Sequence, residues 1–232
     1  MIVNGIDLKK KYSSVVWLSQ TIKPRNVVTY TDWLDEGYRP VKSKSNRYTD
    51  FEIYVEMLVK AESKEECEII MSSIMNDFDS GELQLDNMNF TYEFDFKSED
   101  RELVKRWLYS YKITLSAYNK KGVSKTVAFS GKEKTFLMEG TTKTPVVITI
   151  RSDIALTSLT VAGISDDAII IKSIARNAEV IIDGQNCSVT ENGVNILDKT
   201  NLWEFPRLLP GSNTITLDNS CSVTVSYKPY FK

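Results

Sequence analysis

At 232 residues, with 42% hydrophobic and 26% charged side chains and a mean hydropathy of -0.24, the chain has the composition of a folded protein of one or two domains, not of a disordered or fibrous one. Its 29 basic and 31 acidic residues leave no cation excess for a long phosphate track, which argues against nucleic-acid binding. The absence of histidine removes the commonest general base and the commonest transition-metal ligand.

Cys67, Cys187 and Cys221 form no CxxC pair and are odd in number, so neither a disulfide framework nor a zinc knuckle is expected, and synthesis in a reduced cytoplasm is. No apolar run approaches bilayer length, which excludes export by a signal peptide and membrane insertion from the reading.

In chain order, residues 34–49 come first. They hold Gly37, Pro40 and the cations Arg39, Lys42, Lys44 and Arg47 without periodicity, and read as an exposed loop or arm. From Phe51 the residues Phe51, Ile53, Val55, Met57 and Val59 alternate with Glu52, Tyr54, Glu56, Leu58 and Lys60, the period of a half-buried strand. Ser63 followed by Glu66 forms a capping box, and Cys67, Ile70, Met71, Ile74 and Phe78 then mark one apolar stripe of a helix. Glu65, Glu66 and Glu68 fall in its first turn, where acids complement the helix dipole, and Ser80-Gly81 is expected to end it. A second strand sets Phe90, Tyr92, Phe94 and Phe96 opposite Thr91, Glu93, Asp95 and Lys97, and a third, over 109–118, turns Tyr111, Ile113, Leu115 and Ala117 inward. Strand, helix, strand, strand is an α+β pattern, one helix covering an antiparallel sheet.

Charge density falls from 39 charged residues in the first 131 to 21 in the remaining 101, which suggests a boundary near Gly131. The expected division is a domain over 1–131, a linker with a first strand over 132–145, and an all-β sandwich over 146–232. Within the sandwich Val146, Ile148 and Ile150 share a face, Val180 and Ile182 lead into Asp183-Gly184, and Asn192-Gly193 makes another turn. The closing strand alternates Cys221, Val223, Val225 and Tyr227 with Ser222, Thr224 and Ser226.

Asp183-Gly184, Asn192-Gly193, Phe205-Pro206, Leu208, Pro210-Gly211, Asn213, Ile215, and the closing Tyr227, Pro229 and Tyr230 follow one another in this order. The series resembles the C-terminal domain of the distal tail proteins of bacteriophages with long non-contractile tails. The opening MIVNGIDL, the segment 48–78 and the stretch TTKTPVVITI look like the N-terminal half of the same family. The resemblance implies an α+β ring-forming domain, an antiparallel sheet or split barrel with one helix, followed by a galectin-like β-sandwich. It further implies a non-enzymatic virion protein without cofactor or metal, located at the tail tip. Such a protein forms a homohexameric ring between the tail tube protein and the tail-tip protein, a tail-associated lysin. A receptor-binding protein docks nearby, and DNA only transits. Some members carry an inserted carbohydrate-binding module, but a sandwich of ~100 residues uses all of 132–232.

Two rival readings are a carbohydrate-binding adhesion module and a glycosidase. The second needs two carboxylates across a cleft, and no pair stands out. For the first, Trp203, Tyr227 and Tyr230 are the conceivable sugar platform, although core and loop packing is the expectation for them. Asp166-Asp167 is expected to be a turn, and Cys67 and Cys221 small buried hydrophobes. Glu52, Glu56, Glu93 and Asp95 lie on strand faces opposite the apolar ones. Such faces are usually just solvated, but in a ring crossed by DNA they are the candidates for the lumen wall. Arg39, Lys42, Lys44 and Arg47 belong to the candidate inter-subunit arm.

Overall fold

The apolar side chains collect into two separate cores, one from each part of the chain. The computed structural model describes residues 1–28, 31, 32, 41, 42 and 47–232, and divides into units of residues 1–120 and 121–232.

The first unit begins with β1 (Ile2–Val3), β2 (Ile6–Asp7), the one-turn helix α1 (Leu8–Lys11) and β3 (Val15–Lys23). Four two-residue strands follow, β4 (Val27–Val28), β5 (Thr31–Asp32), β6 (Val41–Lys42) and β7 (Arg47–Tyr48). They pair antiparallel, β4 with β7 and β5 with β6, in the order of a hairpin. Then come β8 (Phe51–Lys60), α2 (Lys64–Asp77), β9 (Ser80–Gln84), β10 (Thr91–Lys105) and β11 (Leu108–Lys121). The main sheet has the order β2-β1-β9-β10-β11-β8-β3. Within it β8 and β11 pair from Lys60 opposite Leu108 to Phe51 opposite Ala117.

The helix forms where its sequence signals place it. Ser63 Oγ accepts from the Glu66 N–H at 3.1 Å, while the Glu66 carboxylate accepts from the Glu62 N–H at 3.0 Å, one residue further back than a standard capping box. Cys67, Met71, Ile74 and Phe78 are buried, and Ile70 packs partly buried beside them. Phe78 meets Phe94 of β10 edge-on at 6.2 Å between ring centres. Each such buried side chain contributes about 1.5–3 kcal/mol by leaving water.

Ser80-Gly81 does not end the helix. The last helical residue is Asp77, and Ser80-Gly81 opens β9. The glycine answers to a tertiary contact: Asn4 Oδ1 accepts from the Glu82 N–H at 2.9 Å and its Nδ2 donates to the Ser80 carbonyl at 3.0 Å. A Cβ on residue 81 would lie 1.9 Å from that Oδ1. The second strand also runs past its expected end, through the charged residues 97–105, whose alternation carries no apolar signal. Arg101 holds this extension, 2.7 Å from Glu99 and 2.7 Å from Glu68 on α2, and the Tyr111 hydroxyl donates to Glu99.

The second unit contains β12 (Lys125–Met138), β13 (Thr144–Arg151), β14 (Leu156–Ala162), β15 (Ile169–Ile174), β16 (Glu179–Asp183), β17 (Ser188–Glu191) and β18 (Val194–Asn195). A 3-10 turn at Leu197–Lys199 precedes β19 (Arg207–Leu208), β20 (Gly211–Tyr227) and β21 (Tyr230–Phe231). The strand β20 is the spine of a β-sandwich. Along one edge it pairs with β12 throughout; along the other, Thr216 and Leu217 pair with β14 and residues 222–227 pair with β13. One strand therefore serves both layers, and opposite its crossing point β12 shifts register between Gly131 and Glu133, as a bulge does where a sheet bends. Between the layers lie Val146, Ile148, Ile150, Val180, Ile182, Val223 and Val225.

The expected boundary at Gly131 and the linker over 132–145 are corrected by this arrangement. The division falls after Lys120, and Gly131 sits in the middle of β12, whose residues 133–138 pair with 211–216. Only Met138 of this strand is fully buried, so its sequence lacks the alternation that would reveal it.

Candidate functional site

Two surfaces combine chemically active side chains. The first is the sheet face of the first unit that carries the outward residues of β8, β10, β11 and β3. Glu52 and Glu56 alternate with the buried Phe51, Ile53, Val55 and Met57, and Glu93 and Asp95 alternate with the buried Tyr92 and Phe94. All four acids lie on this face, but not as a bare negative patch. Lys23 of β3, directly opposite Glu52, bonds it at 2.8 Å; Lys97 of β10 bonds its other oxygen; and Tyr54 donates to it at 2.7 Å. These three donors, Lys23 foremost, then Lys97 and Tyr54, hold the Glu52 carboxyl down at about 2. Glu56 has Lys112 at 3.3 Å and the Ser19 hydroxyl at 3.1 Å, and Glu93 accepts from Asn119. Asp95 is exposed. The face thus carries four carboxylates and four lysines, of which Lys23, Lys97 and Lys112 are bonded to a carboxylate and Lys60, at the far end of β8, is exposed, on a background of Ser19, Thr21, Thr114 and Ser116.

Of the candidate arm, Arg39 and Lys44 lie outside the described residues. Lys42 and Arg47 take part in the backbone pairs β5–β6 and β4–β7. The base of this segment is closed by Asn26, whose carbonyl accepts from the Thr49 N–H and whose N–H donates to the Thr49 hydroxyl, both at 2.9 Å.

The second surface is the 201–207 segment of the sandwich. Trp203 is 93% exposed, so the expectation that it packs into the core or its loop is wrong. Neither does it share a platform with Tyr227, which is 6% exposed and packs on Phe136 at 6.2 Å between ring centres. Tyr230 is bound into the sandwich through its backbone, its N–H donating to Thr144 Oγ1 at 3.0 Å and its carbonyl accepting from Thr141 at 2.9 Å. Asp166-Asp167 lies in the bend after Gly163, as expected, and faces the same segment. Cys67 and Cys221 are buried, and burial pushes both thiols up, away from reactivity.

The turns singled out in the sequence have a common logic. Asp183 Oδ1 accepts from the N–H groups of Gln185 and Asn186 at 2.8 and 2.9 Å. Gly184 is required for closeness: a Cβ there would stand 2.3 Å from the Pro206 carbonyl and 2.9 Å from that of Val146. The Asp-Gly turn and the Phe-Pro segment are therefore two sides of one contact. Asn192, with φ of 49°, accepts from the Glu179 N–H at 3.0 Å through its side chain and donates its own N–H to the Glu179 carbonyl at 2.8 Å. Asn213, 6% exposed, bonds back to Leu209 and Gly211.

These turns lie within residues 139–231, which match the family model of the siphovirus-type tail component, C-terminal domain. This part of the sandwich is similar to that family. Over its whole length the chain is similar in structure to the Dit protein of phage SPP1, with a TM-score of 0.81 at 9% identity, covering 100% of this chain and 98% of that one. That protein is described as a paradigm of the hub adsorption apparatus in phages infecting Gram-positive bacteria. A chain of the phage P2 baseplate in its activated conformation with calcium matches at a TM-score of 0.54 and 12% identity, over 93% of this chain and 90% of that one. Its strontium form matches at 0.53. At such identities the likeness is one of fold. No curated protein matches the sequence. The likeness to phage tail components is that of a structural virion protein and not of an enzyme. No helix among the described residues is long and apolar enough to cross a membrane.

Sequence reasoning missed Trp203 as an exposed group and missed the three lysines that neutralise the acidic face. The first had a signal in the flanking Leu202 and Phe205, which anchor the loop and leave the residues between them outside. The second had none, because Lys23, Lys97 and Glu52 lie on three different strands.

Proposed function

We propose that this tail component is the distal hub of a phage tail, a homohexameric ring that joins the tail tube protein to the tail-tip protein and lets DNA pass. One observation carries the reading: the match to the SPP1 Dit protein spans both units of this chain and nearly all of that chain. A protein sharing only the sandwich would align over part of the length. A heterologous interface that repeats must close into a ring or grow into fibres, and a ring is the form compatible with a tube of fixed diameter.

In this reading the face of Glu52, Glu56, Glu93 and Asp95 lines the lumen. A channel wall for DNA must not hold phosphate, and here Lys23, Lys97 and Lys112, the lysines beside Glu52 and Glu56, are engaged by those carboxylates and so are not free to exchange counterions with passing DNA. The segment 34–49, with Arg39, Lys42, Lys44 and Arg47, serves as the arm to the neighbouring subunit. The receptor-binding protein and the tail-tip protein dock on the assembled ring. The alternative, an adhesion module, has in its favour the exposed Trp203 alone.

Mass measurement in solution followed by negative-stain imaging tests the hub. Six-fold rings, formed by the chain alone or with its tail tube protein, are the expected result; a monomer under both conditions rejects it. Deletion of 41–46 is expected to weaken rings without unfolding the protein, and unchanged assembly of the shortened chain would remove the arm from the reading.

A further inference from the structure

The largest departure from ordinary packing in the described residues is Trp203, exposed at 93% on a loop that is otherwise firmly held. Just before it, Asn201 lies along β15 as an extra strand residue: its N–H donates to the Ile170 carbonyl at 3.2 Å, its Oδ1 accepts from the Ile170 N–H at 2.6 Å, and its Nδ2 donates to the Ala168 carbonyl at 3.1 Å. On either side Leu202 and Phe205 pack against the core, and Pro206 is buried. The indole is therefore presented by a braced segment and is not the tip of a slack loop. A braced backbone loses little conformational entropy when a ligand covers the side chain it presents.

Beside the indole lies a shallow cleft of about 30 Å³, lined by Ser165, Asp166, Asp167, Asn201, Trp203 and Glu204 among others. Asp166, Asp167 and Glu204 are exposed, and no salt bridge engages them among the described residues. Ionised carboxylates are acceptors only, so the cleft asks for a ligand rich in O–H or N–H donors. Its aromatic wall asks for a flat apolar face. A pyranose ring offers both, with C–H groups on one face and hydroxyls around its rim. The three carboxylates outnumber Lys143 and Arg207, which line the adjoining hollow with Asp166 and Glu204, so the region disfavours phosphate-bearing polymers. A protein partner fits less well, since interface anchors sit in patches depleted of charge.

We propose that Trp203 and this cleft form a binding site for an uncharged or amine-bearing saccharide, the indole stacking on the ring and Asp166, Asp167 and Glu204 accepting its hydroxyl or ammonium hydrogens. The site belongs to the sandwich alone and does not depend on ring formation.

The test is isothermal titration of the full chain with four probes, the trisaccharides of N-acetylglucosamine, glucosamine, cellulose and maltose, and with polyglycerol phosphate as the anionic control. At least one trisaccharide is expected to bind, with Trp203→Ala weakening it about tenfold or more, Trp203→Tyr retaining most of the affinity, and Asp166→Asn with Asp167→Asn weakening it together. Trp203 supports no packing, so its replacement leaves the fold intact, and a circular dichroism spectrum checks this. Absence of binding by all four trisaccharides up to about 10 mM, equal affinity in Trp203→Ala, or equal binding of polyglycerol phosphate would overturn the assignment. Ring formation measured on the same samples reports on the hub separately.

Discussion

Asn213 reaches back over the Pro210-Gly211 turn and binds Leu209 from both sides, accepting from its N–H at 2.9 Å and donating to its carbonyl at 2.8 Å. A third bond, to the Gly211 carbonyl at 3.0 Å, completes the amide's set. The asparagine thus acts as a built-in strand partner where the chain turns into β20, and its burial makes each of these bonds costly to lose. Asn213→Ala is expected to destabilise the chain by about 2–4 kcal/mol in urea unfolding. Asn213→Asp should do at least as much harm, because a carboxylate would face the Leu209 and Gly211 carbonyl oxygens. Stability unchanged in both variants would show that the turn closes without the side chain.

Gly184→Ala places a methyl group 2.3 Å from the Pro206 carbonyl, an atom of the backbone that cannot swing aside. The expected loss is about 2–3 kcal/mol by the same measurement, with shifted amide signals at both 184 and 206 in an NMR spectrum. Shifts confined to residues 183–186 would mean that the two segments are not coupled.

Tyr111, buried under α2, donates its hydroxyl to Glu99, which also bonds Arg101. Burial foremost, then the bond to Glu99, raises the phenol well above its usual range, so it remains a neutral donor at any working pH. Tyr111→Phe is expected to cost about 1–1.5 kcal/mol. Glu68→Gln, which loses only the more exposed partner of Arg101, should cost under about 0.5 kcal/mol. Calorimetric melting of the two variants side by side checks the order, and a reversal would place the weight of the network on the helix contact.

Glu52 titrates at about 2, against an ordinary value of 4.5, because Lys23, Lys97 and Tyr54 bond its charged form. The sign follows from linkage: a depressed carboxylate lends stability that is complete above about 4.5 and is lost as pH falls towards about 2. Glu52→Gln should therefore flatten the pH dependence of melting in that acidic window and leave it unchanged near neutrality. Carbon-detected NMR titration should show the Glu52 carboxyl moving up in both Lys23→Met and Lys97→Met. A carboxyl indifferent to either lysine contradicts the geometry.

If the face of Glu52, Glu56, Glu93 and Asp95 lines the lumen, converting Glu52 and Glu56 to Lys releases Lys23, Lys97 and Lys112 as well as adding cations, with six copies of each change around the ring. Phage assembled with this hub should eject DNA more slowly, and the delay should shrink as salt rises. Normal ejection from assembled particles would put this face elsewhere.

The sequence alone determined the elements whose burial repeats locally. The stripe from Cys67 to Phe78, the alternation from Phe51 to Val59 and the closing run from Cys221 to Tyr227 were legible because inward and outward positions recur every 3.6 or 2 residues whatever they pack against. Ser63 and Glu66 marked the helix start for the same reason, since a cap satisfies N–H groups three residues away. The tertiary structure alone decided what depends on distant partners. Strand β12 was hidden because an edge strand with one fully buried side chain prints no period, and the domain boundary moved with it. Gly184 looked like a turn residue, and its need for closeness to Pro206 belongs to a chain segment 22 residues away. The acids of β8 and β10 share a face, as their alternation required, but Lys23, Lys97 and Lys112 reach them from neighbouring strands, so the field of that face is set by strand order. Trp203 stands in water because Leu202 and Phe205 take the places in the core on either side of it. Composition cannot say which of three neighbouring apolar residues is left out, because that choice is made by the space available between two layers.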